Sequence, residues 1–158
     1  ELINNKTPFL FTGNAVEVLG KYIENEDGTN IEGLGIFEVY AKRNMLQRFN
    51  CLYLGKYEDI EILGFKSQFT MLYGDNSKNY FADTEMGIGI NNTTKLEGIK
   101  ENNFFGTFVI GPLLILNPLF TEKLLKIMGI EEPKIAFRED VMAAYEERLR
   151  KYKELTKK

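Results

Sequence analysis

The stretch Phe9-Leu10-Phe11-Thr12-Gly13-Asn14-Ala15-Val16 reads as an apolar strand, a turn of small residues and the start of a helix. Small residues let a strand turn sharply. They also aim several backbone N–H groups at one point, where a helix dipole favours negative charge. Acyl-transfer enzymes mount a nucleophile and an oxyanion hole at such an elbow. The turn here, Thr12-Gly13-Asn14-Ala15, holds neither cysteine nor serine. Thr12 offers a hydroxyl, but a threonine nucleophile needs a base. No histidine exists anywhere in the chain to serve as one. On these residues alone, the turn either holds a small anion or merely needs small residues to form.

Two further stretches could line a site. Asn102 to Pro118 reads as a strand ending at Val109-Ile110-Gly111-Pro112, followed by a loop and a helix. Ligands bind at strand ends in parallel α/β sheets, although an apolar Ile110 also suits plain packing. Gly64-Phe65-Lys66-Ser67-Gln68 gives an otherwise apolar strand a polar end. The one cysteine, Cys51, falls in an expected strand away from the elbow and reads as a buried structural residue. No grouping of residues suggests a metal or an organic cofactor, and none is expected.

The elements that must position these residues follow from periodicity and turn chemistry. Val16, Leu19 and Ile23 fall on one face of a helix. Glu24 to Asn30 is a polar turn stretch. Ile31 to Arg43 mixes glycine and apolar residues too closely to assign. Phe49–Tyr57, Ile60–Gly74, Met86–Asn91 and Asn102–Gly111 read as strands. Asn117 and Pro118 suit a helix start, with Phe120, Leu124, Ile127 and Met128 as its apolar stripe. Gly129 suits the left-handed position that closes it. A last helix begins near Arg138 with the thinner stripe Val141, Tyr145, Leu149 and Tyr152. Its end, from Arg148, carries six basic residues against one acidic, as suits a helix C-terminus. An anionic partner is the sharper alternative.

Bulk properties narrow the classes. The 158 residues fit one domain with a real core, and 44% hydrophobic content argues against disorder. A net charge of −3 disfavours a general nucleic-acid role, which calls for a basic face. No apolar run reaches the roughly 18 residues that span a bilayer, so no membrane partner is expected. A lone cysteine makes a reducing cytoplasm the expected compartment. The opening Glu1-Leu2-Ile3-Asn4-Asn5-Lys6 reads as a helix tail entering a strand, so a preceding segment is expected.

Taken together, these segments resemble the class I glutamine amidotransferase domains of the cobyric acid synthase type. Within that group they are most similar to the glutaminase subunits of lipid II isoglutaminyl synthases. The family's elbow, C-G-G-x-Q-x-x-G, lies on Gly13 to Gly20. Its "GLG" and following apolar residues lie on Gly33-Leu34-Gly35-Ile36-Phe37, and its "GFENH" strand on Gly64 to Gln68. Its "EG…GTYLHGPLL…NP" run lies on Glu97-Gly98, then Gly106 to Leu114, then Asn117-Pro118. The resemblance covers residues 1–130, the expected amidotransferase-like domain, and leaves residues 131–158 as a helical extension. It implies a three-layer, flavodoxin-like α/β sheet, here incomplete at its N-terminal side.

The departures bear on activity. In this family a cysteine thiolate attacks the glutamine amide with support from a histidine. The cysteine falls on Gly13 and the histidine on Ile110. The histidine of "GFENH" falls on Gln68, and the elbow glutamine on Glu17. The resemblance therefore implies a domain that has kept the fold and lost the catalytic pair. It would serve as a structural or regulatory partner of a synthetase, of the Mur-ligase-like kind. Two alternatives stay open. One is an amidotransferase completed by a partner. The other is a module binding an amino acid or small anion through Thr12, Asn14, Ala15, Glu17 and Gln68. An incomplete sheet leaves an unpaired strand edge, costly in water, so a homo-oligomer is expected, covered at that edge by a second copy or by the last helix.

Overall fold

A computed structural model describes residues 1–157; Lys158, the last basic residue of the tail, lies outside them. The chain is mixed α/β. In order it forms β1 (Phe9–Thr12), a 3₁₀ helix (Gly13–Leu19), β2 (Tyr22–Glu24), β3 (Asn30–Glu32), β4 (Val39–Arg43), β5 (Phe49–Tyr57) and β6 (Ile60–Gln68). There follow β7 (Thr70–Gly74), β8 (Ala82–Met86), β9 (Leu96–Glu97), β10 (Ile99–Glu101), β11 (Phe104–Thr107), α1 (Leu113–Leu116), α2 (Pro118–Ile127) and α3 (Arg138–Leu155). The strands divide among three small sheets, ordered β1-β11-β10, β3-β2-β4-β7 and β6-β5-β8-β9.

The sheet that carries the elbow lies between the other two. β1 and β11 pair in parallel, with Phe9 opposite Phe104 and Thr12 opposite Thr107. Side chains alternate across a strand, so successive residues enter different cores. Phe104, with Phe9 and Phe11, packs against Val16, Phe37, Val39, Ala41 and Leu72. Phe105, with Leu10, packs against Tyr53, Tyr57, Ile62, Phe81 and Phe120. β11 is buried along its whole length, whereas β1 pairs on one side only.

Several expected elements take a different form. The first helix is a 3₁₀ helix that ends at Leu19. Its three-residue repeat stacks Val16 over Leu19, and Ile23 belongs instead to β2. The stretch Ile60–Gly74 breaks at Phe69, sending β6 and β7 into different sheets. Met86–Asn91 is not a strand. β8 ends at Met86, and the bend beyond it follows from Gly87 at φ +100°. The unassigned segment holds β4 and most of β3, which begins one residue earlier, at Asn30 of the expected turn stretch.

The C-terminal elements start and stop near the expected residues. α2 begins at Pro118 and closes with Gly129 at φ +93°, whose N–H donates to the Lys126 carbonyl while Ile130 N–H donates to that of Leu125. Asn117, however, makes no capping bond. Its amide is fully buried and turned sideways onto β6. It accepts from Leu63 N–H at 2.6 Å and donates to the carbonyls of Leu63 at 2.8 Å and Leu113 at 2.7 Å. α3 lies back on β5 and β6 rather than over the β1 edge. Tyr145 packs with Leu54 and Leu63 and donates its hydroxyl to the Glu61 carbonyl at 3.0 Å.

Candidate functional site

Gly13 begins the 3₁₀ helix at φ +61°, directly after β1. Only a residue tolerating the left-handed region sits there without strain. A Cβ at Gly13 would point at Ile110, 3.8 Å from its Cγ2, with nothing else among its near neighbours. Ile110 follows β11 and is stitched to β6. Its N–H donates to the Phe65 carbonyl at 2.9 Å, and its carbonyl accepts from Phe65 N–H at 3.1 Å. Gly13 follows β1 directly and Ile110 lies three residues beyond β11, where its bridge to β6 holds it beside Gly13. Neither offers a nucleophile or a proton.

The other elbow residues separate into two groups. Thr12, Asn14 and Ala15 are exposed. A helix this short also has little aligned dipole to offer an anion. Three of the five candidate ligand residues therefore lie at the surface. Glu17, by contrast, is buried, and its Oε2 accepts from Arg43 Nε at 3.2 Å. Its other oxygen has no hydrogen-bond partner.

Gln68 ends β6 and is 1% exposed. Its Nε2 donates to the Thr70 carbonyl at 2.7 Å, while its Oε1 and the Thr70 hydroxyl are both without partners. Both residues line a cavity of about 400 Å³, with Lys42, Arg43, Asn44 and Arg48 among the other walls. Gly13 and Ile110 do not line it. Buried polar atoms rarely stay unpaired, and these two oxygens have almost no accessible surface. The basic side chains of this cavity were not singled out by sequence reasoning. Lys42 and Arg43 end a strand that the sequence left unassigned, and Arg48 lies beyond it.

A buried ion pair holds the surrounding strands together. Lys66 of β6 and Glu97 of β9 are both fully buried and in direct contact. Lys66 Nζ also donates to the carbonyls of Ile88 at 3.0 Å and Gly89 at 2.6 Å. Glu97 Oε1 accepts from Thr107 Oγ1 at 2.8 Å and from Phe108 N–H at 2.9 Å. The network thus ties the strand bearing Gln68 to the one leading to Ile110. Every charge in it has partners, the condition under which a buried pair is tolerated. Cys51 stands opposite Lys66 and is half-buried rather than buried, with burial pushing its thiol pKa up. A raised thiol pKa opposes nucleophile chemistry.

No family model matches the chain. Among curated proteins it is 30% identical over 126 residues to the lipid II isoglutaminyl synthase (glutamine-hydrolyzing) subunit GatD of Staphylococcus aureus (strain N315). The chain is similar to a glutamine amidotransferase subunit. The match takes in 80% of this chain and 51% of that protein, so the chain spans about half the length of the curated relative it matches. Among the described residues, no helix is long and apolar enough to cross a membrane.

Proposed function

We propose that this chain is a glutamine amidotransferase-like domain that does not hydrolyse glutamine and serves as a structural or regulatory partner of a synthetase, of the Mur-ligase-like kind. The observation that carries this reading is the nearness of Gly13 to Ile110, the two positions onto which the resemblance lays the nucleophile and its base. The synthetase enters by likeness to the staphylococcal subunit, whose name makes it part of a glutamine-hydrolysing synthase. A reducing, cytoplasmic setting fits the single unpaired cysteine.

Ammonia release from glutamine tests the proposal. The chain is expected to match a no-protein control. Release well above that control, abolished by Gly13→Ala or Thr12→Ala, overturns it. Release only when a synthetase is added favours a site completed by that partner.

A second reading is supported by the cavity under Gln68 and Thr70. Its basic walls suit a small anion held without chemistry, because neither Gly13 nor Ile110 lines it.

A further inference from the structure

α3 covers only part of one face of the sheet β6-β5-β8-β9. Residues directly opposite in an antiparallel pair share a face. Leu54 lies opposite Leu63, and Leu52 opposite Phe65. The first pair is buried with Tyr145 of α3. The second pair is two residues along each strand, hence on the same face, and is 44% and 40% exposed. Phe65 in turn bridges Ile110, the near neighbour of Gly13. An apolar row, Leu52, Phe65 and Ile110, thus crosses three backbone segments and ends at the elbow. The next pair along, Asn50 and Ser67, is uncharged.

α3 stops short of this row. Tyr152 donates its hydroxyl to the Gly64 carbonyl at 3.3 Å, and the helix ends at Leu155, which is exposed. Its last turns leave charge beside the row. Arg150, Lys151 and Lys153 are paired with Glu147, Glu154 and Glu61, whereas Arg148 and Lys157 have no carboxylate partner among the described residues. Arg148 lies near Tyr152: burial raises that hydroxyl's pKa and the Arg148 charge opposes the rise. The uncovered row therefore has an uncompensated basic rim.

We infer that the synthetase partner docks here through an acidic amphipathic helix, its apolar stripe on Leu52, Phe65 and Ile110 and its carboxylates on Arg148 and Lys157. α3 shows what this face accepts, since it lays Met142, Tyr145, Leu149 and Tyr152 against the adjoining row. A basic helix would meet like charge, and an uncharged one would leave both cations uncompensated. A second copy fits this row less well, because the helix end it would offer is itself basic. The inference rests on the reading of the chain as a synthetase partner and gives that reading its contact surface.

Fluorescence anisotropy with three synthetic helical peptides tests it on the 158-residue chain. One peptide has leucines at i, i+3, i+4 and i+7 with glutamates on the remaining face. In the second, lysines replace the glutamates. The third has the composition of the first with its stripe scrambled. The acidic amphipathic peptide is expected to bind about tenfold or more tightly than either of the others. Leu52→Ser and Phe65→Ser should each weaken it severalfold. Arg148→Glu should weaken it and strengthen the lysine peptide, with an unchanged melting temperature, because Arg148 pairs with no carboxylate in the fold. Arg148→Lys should keep the affinity. Equal binding of the lysine peptide overturns the charge assignment, and equal binding of the scrambled peptide overturns the role of the apolar row. No binding of any peptide at high micromolar concentration overturns the inference as a whole. A dimer that Phe65→Ser turns into a monomer in light scattering would put a second copy on the row and overturn it too. The loss of glutaminase activity is decided separately by ammonia release.

Discussion

Gly13 sits at φ +61°, where a side chain costs about 1–2 kcal/mol. Gly13→Cys should destabilise the chain by about that amount in urea titration. The new thiol should be alkylated readily, because Ile110 is its only close neighbour. A thiol that resists alkylation in the folded protein would mean the elbow is covered. Lys66 and Glu97 make a sharper case. Removing one partner leaves the other charge buried alone, which costs about 3–5 kcal/mol. Lys66→Met or Glu97→Gln should each lower stability strongly, and the double variant should lose less than the sum of the two. Strict additivity in a double-mutant cycle would show that the two do not act as a pair. Asn117→Ala should cost several kcal/mol, at about 1–3 kcal/mol for each of three buried backbone groups left unpaired.

At the scale of elements, α3 is held by tyrosines. Burial pushes the Tyr145 hydroxyl up to about 12, and burial also raises that of Tyr152. The folded state therefore holds the Tyr145 proton more tightly than the unfolded chain, whose tyrosines titrate near about 10. The associated stability is complete below the unfolded value and is lost as pH rises from about 10 to about 12. Urea titrations over that range should show stability falling with pH, and Tyr145→Phe should flatten part of that slope. An identical slope in the variant would detach the effect from α3. The position and stripe of this helix were legible because apolar residues recur at helical spacing and Tyr145 is indeed buried. α2 was legible from Asn117-Pro118 and Gly129. Asn117 shows the limit of such reading: a residue type that suits a cap was recruited by the edge of β6, a partner 54 residues away in sequence. Met86–Asn91 alternates like a strand, yet Gly87 bends it and its carbonyls serve Lys66 instead. Tertiary contacts decide such segments. The nearness of Gly13 and Ile110 could be read from motif spacing, whereas the basic cavity arises from strand pairing that no local pattern announces.

On the scale of the whole molecule, the open side of β1 sets the strongest constraint. Phe9 N–H donates to the Asn103 carbonyl on the β11 side at 3.0 Å. Alternation along the strand then leaves the amide and carbonyl of Leu10 facing outward. Two hollows flank this edge and share Phe9. One, of about 520 Å³, includes Leu2, Ile3, Phe11, Leu34 and Ile36; the other, of about 410 Å³, includes Pro8, Leu10, Leu114, Leu125 and Met128 and no charged residue. Leu34, Ile36 and Met128 are exposed. An unpaired edge between two apolar surfaces favours association. A second copy is a self-matching occupant: the uncharged hollow meets its own image without opposing like charges, and α3 is already committed to β5 and β6. The isolated chain is therefore expected to be a dimer by light scattering at micromolar concentration. Leu10→Lys, which places a charge in the uncharged hollow, should shift it to monomer and lower its stability. Removing residues 134–158 should lower stability by uncovering Leu54 and Leu63, yet leave the dimer intact. A monodisperse monomer before any substitution would show that the β1 edge is tolerated in water without a second copy, and a dimer lost only on removal of residues 134–158 would move the contact from β1 to α3.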